Sequence, residues 1–498
     1  MRIIAVRRAR FMQLIVGAVV LVGARSSDGA TLCVAPGGAG GCFASIQAAA
    51  DAAPNGSVIE VAAGTYVENL LLTTPSSLVI RGVGAAGTII DGGGAGSVLV
   101  AQTNRLRLEG VTIRNGAADR GAGLRLDDRA RVEVVDSRIA GNQASVYGGG
   151  VALGSRASLT LTDTTVEDNG ALSGAGIHTE IVGAGASGKS CRGGTLIMNR
   201  GALRGNVVDN QGPAMNATGV VCNGGARVDL NDVVVEANTV GCVGCGGSGA
   251  IRAHGKLVLR RTTVVDNSAG GIFASGSLEV LESTIADNDG GSFGVGGVSI
   301  GSLPSFARHK LRIVRSTISG NSAQYGGGVY VRSAKASIET STISGNSAAI
   351  GGGISVWGSS NQARVIVLNS TVAGNSATSS AGGIARVDEV PVTLQATILG
   401  DNQAPSGPDC TGSIMVRGAN LIEDTSDCTV LTIGSGFTTG VDPLLGPLQA
   451  NGGPTETLEL LPGSPARGAN SSAGDCRTRD QRGVARTVPC DVGAFEAP

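Results

Sequence analysis

Ser316-Thr-Ile-Ser-Gly-Asn321, followed by the glycine run Gly326–Gly328 and the alternating stretch Val329-Tyr-Val-Arg332, decides the fold of this chain. The phrase returns as Thr340-Ser-Thr-Ile-Ser-Gly-Asn346 before Gly351–Gly353. It returns again as Asn369-Ser-Thr-Val-Ala-Gly-Asn375 before Gly382-Gly383, and in weaker form as Asp163-Thr-Thr-Val-Glu-Asp-Asn169. Its asparagines fall at Asn142, Asn169, Asn210, Asn238, Asn267, Asn288, Asn321, Asn346, Asn375 and Asn402, with steps of 21 to 41 residues. A period of that size marks a stacked repeat.

Between the punctuation lie short runs such as Ser158-Leu-Thr-Leu-Thr162, in which apolar and polar residues alternate. Period two with Val, Ile and Thr reads as half-buried strand. One repeat cannot bury its inner face alone, whereas stacked repeats close that face into a continuous core. The expectation is an all-β, right-handed parallel β-helix of roughly 13 or 14 coils, about 60–70 Å long at the usual strand spacing. Stacked asparagines are expected to form an amide ladder. The residue before each is often Gly or Asp (Gly141, Asp168, Asp209, Asp266, Asp287, Gly320), which suits a left-handed turn. A row of carboxylates for calcium is the alternative reading of those aspartates; otherwise no cofactor is implied.

The chain has 81 glycines, but only one tryptophan, four tyrosines and seven phenylalanines, and its net charge is −1. Neither nucleic acid nor an anionic membrane is favoured as a partner by that balance. Residues 1–30 read as a targeting segment, with Arg2, Arg7, Arg8 and Arg10 before the apolar run Phe11–Val22. No later segment is apolar enough to cross a membrane. Ten cysteines agree with export to the periplasm, cell surface or medium. Cys33/Cys42, Cys410/Cys428 and Cys476/Cys490 are expected to pair in sequence order. Cys191, Cys222, Cys242 and Cys245 admit three connectivities.

The opening Phe43-Ala-Ser-Ile-Gln-Ala-Ala-Ala-Asp51, with Gly64-Thr-Tyr66 beyond it, resembles pectin-lyase-like β-helix proteins, and implies a capping helix over Ser45–Ala53. The repeats resemble those of polymorphic outer-membrane proteins. Asn451-Gly-Gly-Pro-Thr-Glu-Thr457, Asp480-Gln-Arg-Gly483 and Cys490-Asp-Val-Gly-Ala-Phe-Glu496 resemble the choice-of-anchor Q domain of secreted β-helix proteins. These resemblances imply a fold and secretion rather than a reaction. The organisation expected is a cap over 31–57, a β-helix over 58–409, and a last coil with the C-terminal region over 410–498.

No Gly-His-Gly segment accompanies the three histidines, and no zincin, P-loop or Gly-x-Ser-x-Gly motif occurs. Aligning the strand after each glycine cluster puts two residues per coil on the outer surface. The first column carries Arg125, Ala152, His178, Arg252, Phe273, Ser299, Tyr330, Ser355 and Ala385. The second carries Asp127, Gly154, Glu180, His254, Ser275, Gly301, Arg332, Trp357 and Val387. Two of three histidines and the tryptophan share this stripe, beside insertions at 183–194 and 240–249. His178, Glu180, Arg252 and His254 are the candidate catalytic residues. Arg125, Asp127, Tyr330, Arg332 and Trp357 are the candidate ligand contacts. The main expectation is a secreted, non-catalytic, adhesin-like protein that binds a polysaccharide or cell-surface ligand. The alternative is a polysaccharide lyase or epimerase, with a histidine as base and Arg252 as the cation that stabilises developing charge.

Overall fold

The computed structural model describes residues 29–102, 105–179, 193–208, 226–240, 249–268, 270–291, 296–301, 309–358, 363–433 and 436–498. Residues 1–28 of the targeting segment, Glu180, Asn210, Cys191, Cys222, Cys242 and Cys245 lie outside the described residues.

Each letter of the opening phrase has a separate duty. Ser316 Oγ donates to Val314 O at 2.8 Å and accepts from the Ser283 N–H of the preceding coil at 3.1 Å. Thr317 points out of the coil, and Ile318 is fully buried in its core. Gly320 takes φ +65° at the corner. Asn321 then points inward and donates to Asn346 Oδ1 at 2.9 Å. Repeated coil by coil, these duties build a right-handed parallel β-helix.

Sixteen described strands stack in the longest column, from Thr31–Val34 to Cys428–Ile433, every pairing parallel. The rod is therefore about 70 Å long at the usual spacing. It exceeds the expected 13 or 14 coils because the cap contributes Thr31–Val34 and residues 410–433 contribute two more rungs, all outside the asparagine repeat.

The amide ladder is continuous from Asn142 to Asn402. Each Nδ2 donates to the next Oδ1 at 2.8–3.0 Å. One rung differs from the sequence alignment: Asn206, not Asn210, occupies the third position, between Asn169 and Asn238. The reason is that Gly205 supplies the corner there, at φ +58°. All ten residues that precede a ladder asparagine have positive φ, from +51° to +68°. Asp168, Asp266 and Asp287 thus hold left-handed corners, which Asp tolerates. Among the described residues no group of three or more His, Cys, Asp or Glu is placed to hold a metal ion.

The N-terminal end is closed. The helix Ile46–Ala52 buries Ile46, Ala49 and Ala50 on the first coils. Ser45 caps it by accepting from Ala48 N, and Glu68 accepts from Ile46 N at 2.8 Å and Gln47 N at 2.9 Å. The Gln47 amide pairs with both backbone groups of Leu71, replacing a missing strand at the edge of Leu70–Leu72. Phe43 N bonds Cys33 O, which covers the first rung of the other sheet. Cys33–Cys42, Cys410–Cys428 and Cys476–Cys490 are disulfides.

Beyond the strand Phe437–Thr439 the chain turns back along the outside of the rod. This C-terminal module docks on the outward threonines of the repeat phrase. Gln481 is fully buried; its amide accepts from Thr342 Oγ1 at 2.7 Å and donates to Thr317 Oγ1, Thr455 Oγ1 and Glu456 O at 2.9 Å each. Ala494 N bonds Thr371 Oγ1 at 3.0 Å. Ile398 and Leu421 of the rod share a small core with Leu460, Ala466, Val492 and Phe495 of the module. Asp480, Arg482, Arg486 and Glu496 tie the module together by ion pairs. The C-terminal sequence motifs thus carry structure here.

Candidate functional site: a glycine-lined corner

The glycine clusters turn the chain between two strands of each coil. At Gly121, Gly148, Gly174, Gly326 and Gly351 φ lies between +58° and +70°. A Cβ on Gly121, Gly148 or Gly174 would come within 2.9 Å of the Cβ of Arg125, Ala152 or His178. The corner is re-entrant, so outward side chains from both flanking strands converge over a floor of bare backbone. Only glycine permits that approach.

The first column stacks in register where it is described, but Ala152, Ser299, Ser355 and Ala385 are buried rather than on the outer surface. Arg125 pairs with Ala152, and Ala152 with His178. Arg252, Phe273, Ser299, Tyr330, Ser355 and Ala385 continue the column. Arg332 lies beside Trp357 in the second column. No described residue joins His178 to Arg252 within this column; their offset follows from the neighbouring column, Thr195–Arg204, Arg227–Glu236 and Lys256–Arg260.

Three groups form along the corner. In the first, Tyr147 stacks on His178 with ring centroids 4.5 Å apart, and Arg120 lies over the Tyr147 ring at 5.1 Å. Arg125 Nε bonds Asp127 Oδ1 at 2.9 Å, and Gln102 donates to Asp127 Oδ2 at 2.6 Å. In the second, Arg252 Nε donates to His254 Nε2 at 3.2 Å and its guanidinium covers Phe273 at 5.1 Å. His254 Nδ1 meets Ser275 Oγ at 2.5 Å. In the third, Tyr325 contacts Trp357 edge-on at 5.1 Å and Tyr330 at 6.4 Å, and Trp357 Nε1 donates to Ser355 Oγ at 2.8 Å.

Burial sets the electrostatics. Desolvation pushes the His178 imidazole down to about 4, so it is neutral at neutral pH. His254 is lowered by burial first and by the Arg252 charge second. The Arg252 bond assigns its Nε2 as acceptor and hence Nδ1–H as the donor to Ser275. Burial raises Tyr330. Asp127 is ion-paired to Arg125 and does not stand as a free carboxylate.

The structure thus brings Arg125 together with Asp127, and Arg252 with His254, and gathers Tyr330 and Trp357 around Tyr325. It keeps these groups on separate rungs; His178 and Arg252 are two rungs apart, about 10 Å. Arg120, Tyr147 and Tyr325 escaped the strand alignment because they belong to the strand before the glycines. The signal for the two tyrosines is an aromatic directly ahead of the run, in Tyr147-Gly-Gly-Gly150 and Tyr325-Gly-Gly-Gly328.

No family model matches the chain, and no curated protein matches it. Among solved structures it is similar to XylC in complex with xylose, at 9% identity and TM-score 0.39 over 94% of this chain and 98% of that one. It is similar to pectate lyase Pel9A at 13% identity and TM-score 0.34, over 95% and 97%. It is also similar to the A-module of the Azotobacter vinelandii mannuronan C-5 epimerase AlgE4, at 15% identity and TM-score 0.30, over 79% and 94%. The likeness is one of chain path, and no residue role passes across it.

Proposed function

We propose that the glycine-lined corner seats an extended acidic polysaccharide, and that the protein is an exported β-helix whose C-terminal module is of the choice-of-anchor Q type. One observation carries the binding reading: Tyr147, Phe273, Tyr325, Tyr330 and Trp357, five of the chain's few aromatics, line one re-entrant corner. Aromatic faces over a backbone floor suit the apolar faces of sugar rings. Arg120, Arg252 and Arg332 accompany the rings, which favours carboxylated or sulfated sugars in a chain of net charge −1. The three disulfides support an oxidising compartment, and no described helix is long and apolar enough to cross a membrane.

A lyase or epimerase reading has its own support in the first group. His178 is neutral, as a base must be; the Tyr147 ring stacks on it, and the Arg120 guanidinium lies over that tyrosine. A bound uronate would raise the imidazole toward the working range by adding a neighbouring negative charge. Glu180 would have to complete any carboxylate pair with Asp127.

The test is calorimetry against neutral and acidic polysaccharides, with absorbance of new unsaturated ends and solvent deuterium uptake read in parallel. An acidic polymer should bind, and Tyr147→Ala with Trp357→Ala should weaken it at least tenfold. Unsaturated ends or deuterium uptake that vanish in His178→Ala would assign turnover. Undiminished binding by the Tyr147/Trp357 double variant would remove the corner from the reading.

A further inference from the structure

The two ends of the rod are treated differently, and the difference points to a partner. The first rung is covered by Phe43 and by the Gln47 amide. The last long strand, Cys428–Ile433, pairs only with Cys410–Arg417, and no described strand covers its other edge. The C-terminal module does not cap it, because that module runs back over Thr317, Thr342 and Thr371. Gly418 N donates to Ile433 O. In a parallel ladder this phase turns the backbone N–H and C=O groups of Ile433, Leu431 and Thr429 toward the neighbouring strand and leaves those of Val430 and Thr432 directed at the open edge.

Edge strands are ordinarily blunted by charge, proline, a bulge or a cover. Cys-Thr-Val-Leu-Thr-Ile has neither charge nor proline. Leu431 is 51% exposed and Ile433 49%. Val430 and Phe437, which point into the rod, are left half-buried at its end. Charge is divided along the strand: Asp424 and Asp427 flank its start, and Arg417 lies in register with its last residue. An antiparallel two-fold pairing would set the acidic start of one copy against the basic finish of the other. A two-fold through Leu431 also places Val430 of one copy opposite Thr432 of the other, so their free backbone groups meet.

We propose that this edge pairs with the same edge of a second copy, joining two rods tail to tail through one continuous sheet. The isologous arrangement closes on itself, and the covered first rung blocks growth into filaments.

Sedimentation of the full chain across a concentration series tests the proposal. The wild type should show a monomer–dimer equilibrium that weakens with salt, and scattering of the dimer should give nearly twice the monomer's longest dimension. Thr432→Pro removes only an outward N–H, which an edge strand tolerates. It should be monomeric at every concentration, with unchanged circular dichroism. If its spectrum changes, Leu431→Lys decides instead, because it sets two lysines opposite each other at the two-fold. A monomeric wild type overturns the proposal. So does a folded Thr432→Pro, or a Leu431→Lys variant, that still dimerises.

Discussion

Asn346 shows what one residue does in a stacked coil. Its Nδ2 donates to Asn375 Oδ1, Ile318 O and Ser344 O, and its Oδ1 accepts from both Asn321 N and Asn321 Nδ2. Alanine would remove all five bonds from a buried position and leave Asn321 N without its acceptor, at a cost of about 2–4 kcal/mol. Chemical denaturation of Asn346→Ala should show that loss, whereas an exposed asparagine variant should show almost none. The ladder ends on a carboxylate. Asn402 Nδ2 donates to Asp409 Oδ1 at 2.9 Å and Asp424 N to Oδ2 at 2.8 Å. Burial pushes Asp409 up to about 7, outweighing those bonds, and Glu423 adds to the rise. An unfolded aspartate titrates near 3.9, so between about 4 and 7 the unfolded chain gives up a proton that the folded chain keeps. Stability from this residue is therefore greatest in acid, falls as pH rises through that window, and is flat above it. His178 acts in the opposite sense: its folded value near 4 lies below the usual 6.5, so its share of stability is lost as pH falls from 6.5 toward 4. Melting temperatures from pH 4 to 8 should lose the first slope in Asp409→Asn and the second in His178→Gln. An unaltered profile in either variant would refute that assignment.

At the scale of the element, the glycine corners are the most demanding part of each coil. Gly174 has φ +58°, and an added Cβ would stand 2.9 Å from His178 Cβ and 3.0 Å from its Nδ1. Gly174→Ala should therefore cost about 1–3 kcal/mol. It should also disturb the Tyr147–His178 stack, visible as a shifted imidazole resonance, while Gly141→Ala, whose Cβ would meet nothing within 4 Å, should leave that resonance in place. Strand register was legible because period-two alternation and the glycine runs fix which residues face outward. The same alternation puts Arg252, Phe273, Ser299, Tyr330 and Ser355 in one column, as the strand pairing does. The third ladder rung was not legible, because Gly205-Asn206 and Asp209-Asn210 offer the same small-residue–asparagine pair in sequence, and only the observed corner at Gly205 and the Asn169–Asn206 bond pick out the first. Tyr147 and Tyr325 were missed for a geometric reason. Alternation reports which face a residue takes within one strand, but not that a re-entrant bend folds two outward faces together.

For the whole molecule, the repeat phrase also determines where the chain's end comes to rest. Thr317, Thr342 and Thr371 are outward residues of successive coils, yet all are buried, because the C-terminal module lies on them. Nothing in the repeat itself announces this, since an outward threonine is ordinary on a solvated strand. The partner that reveals it, Gln481, lies about 140–165 residues further along. Gln481 holds two coils and the module's own Thr455 and Glu456 through one amide. Gln481→Ala would leave the buried Thr342 Oγ1 without its acceptor and remove the bonds to Thr317 Oγ1, Thr455 Oγ1 and Glu456 O, although the Thr317–Glu456 and Thr455–Arg315 bonds remain, a penalty of about 1–3 kcal/mol borne by the docking alone. The rod keeps its ladder and core in that variant, so the loss should be local. Hydrogen exchange should speed across residues 443–498 and the strands Thr317–Ser319 and Thr342–Ser344, while the amides of Asn267, Asn288 and the buried strand Lys256–Arg260 remain protected. Uniform acceleration along the whole rod would instead mean that the module is part of one cooperative unit with the coils beneath it.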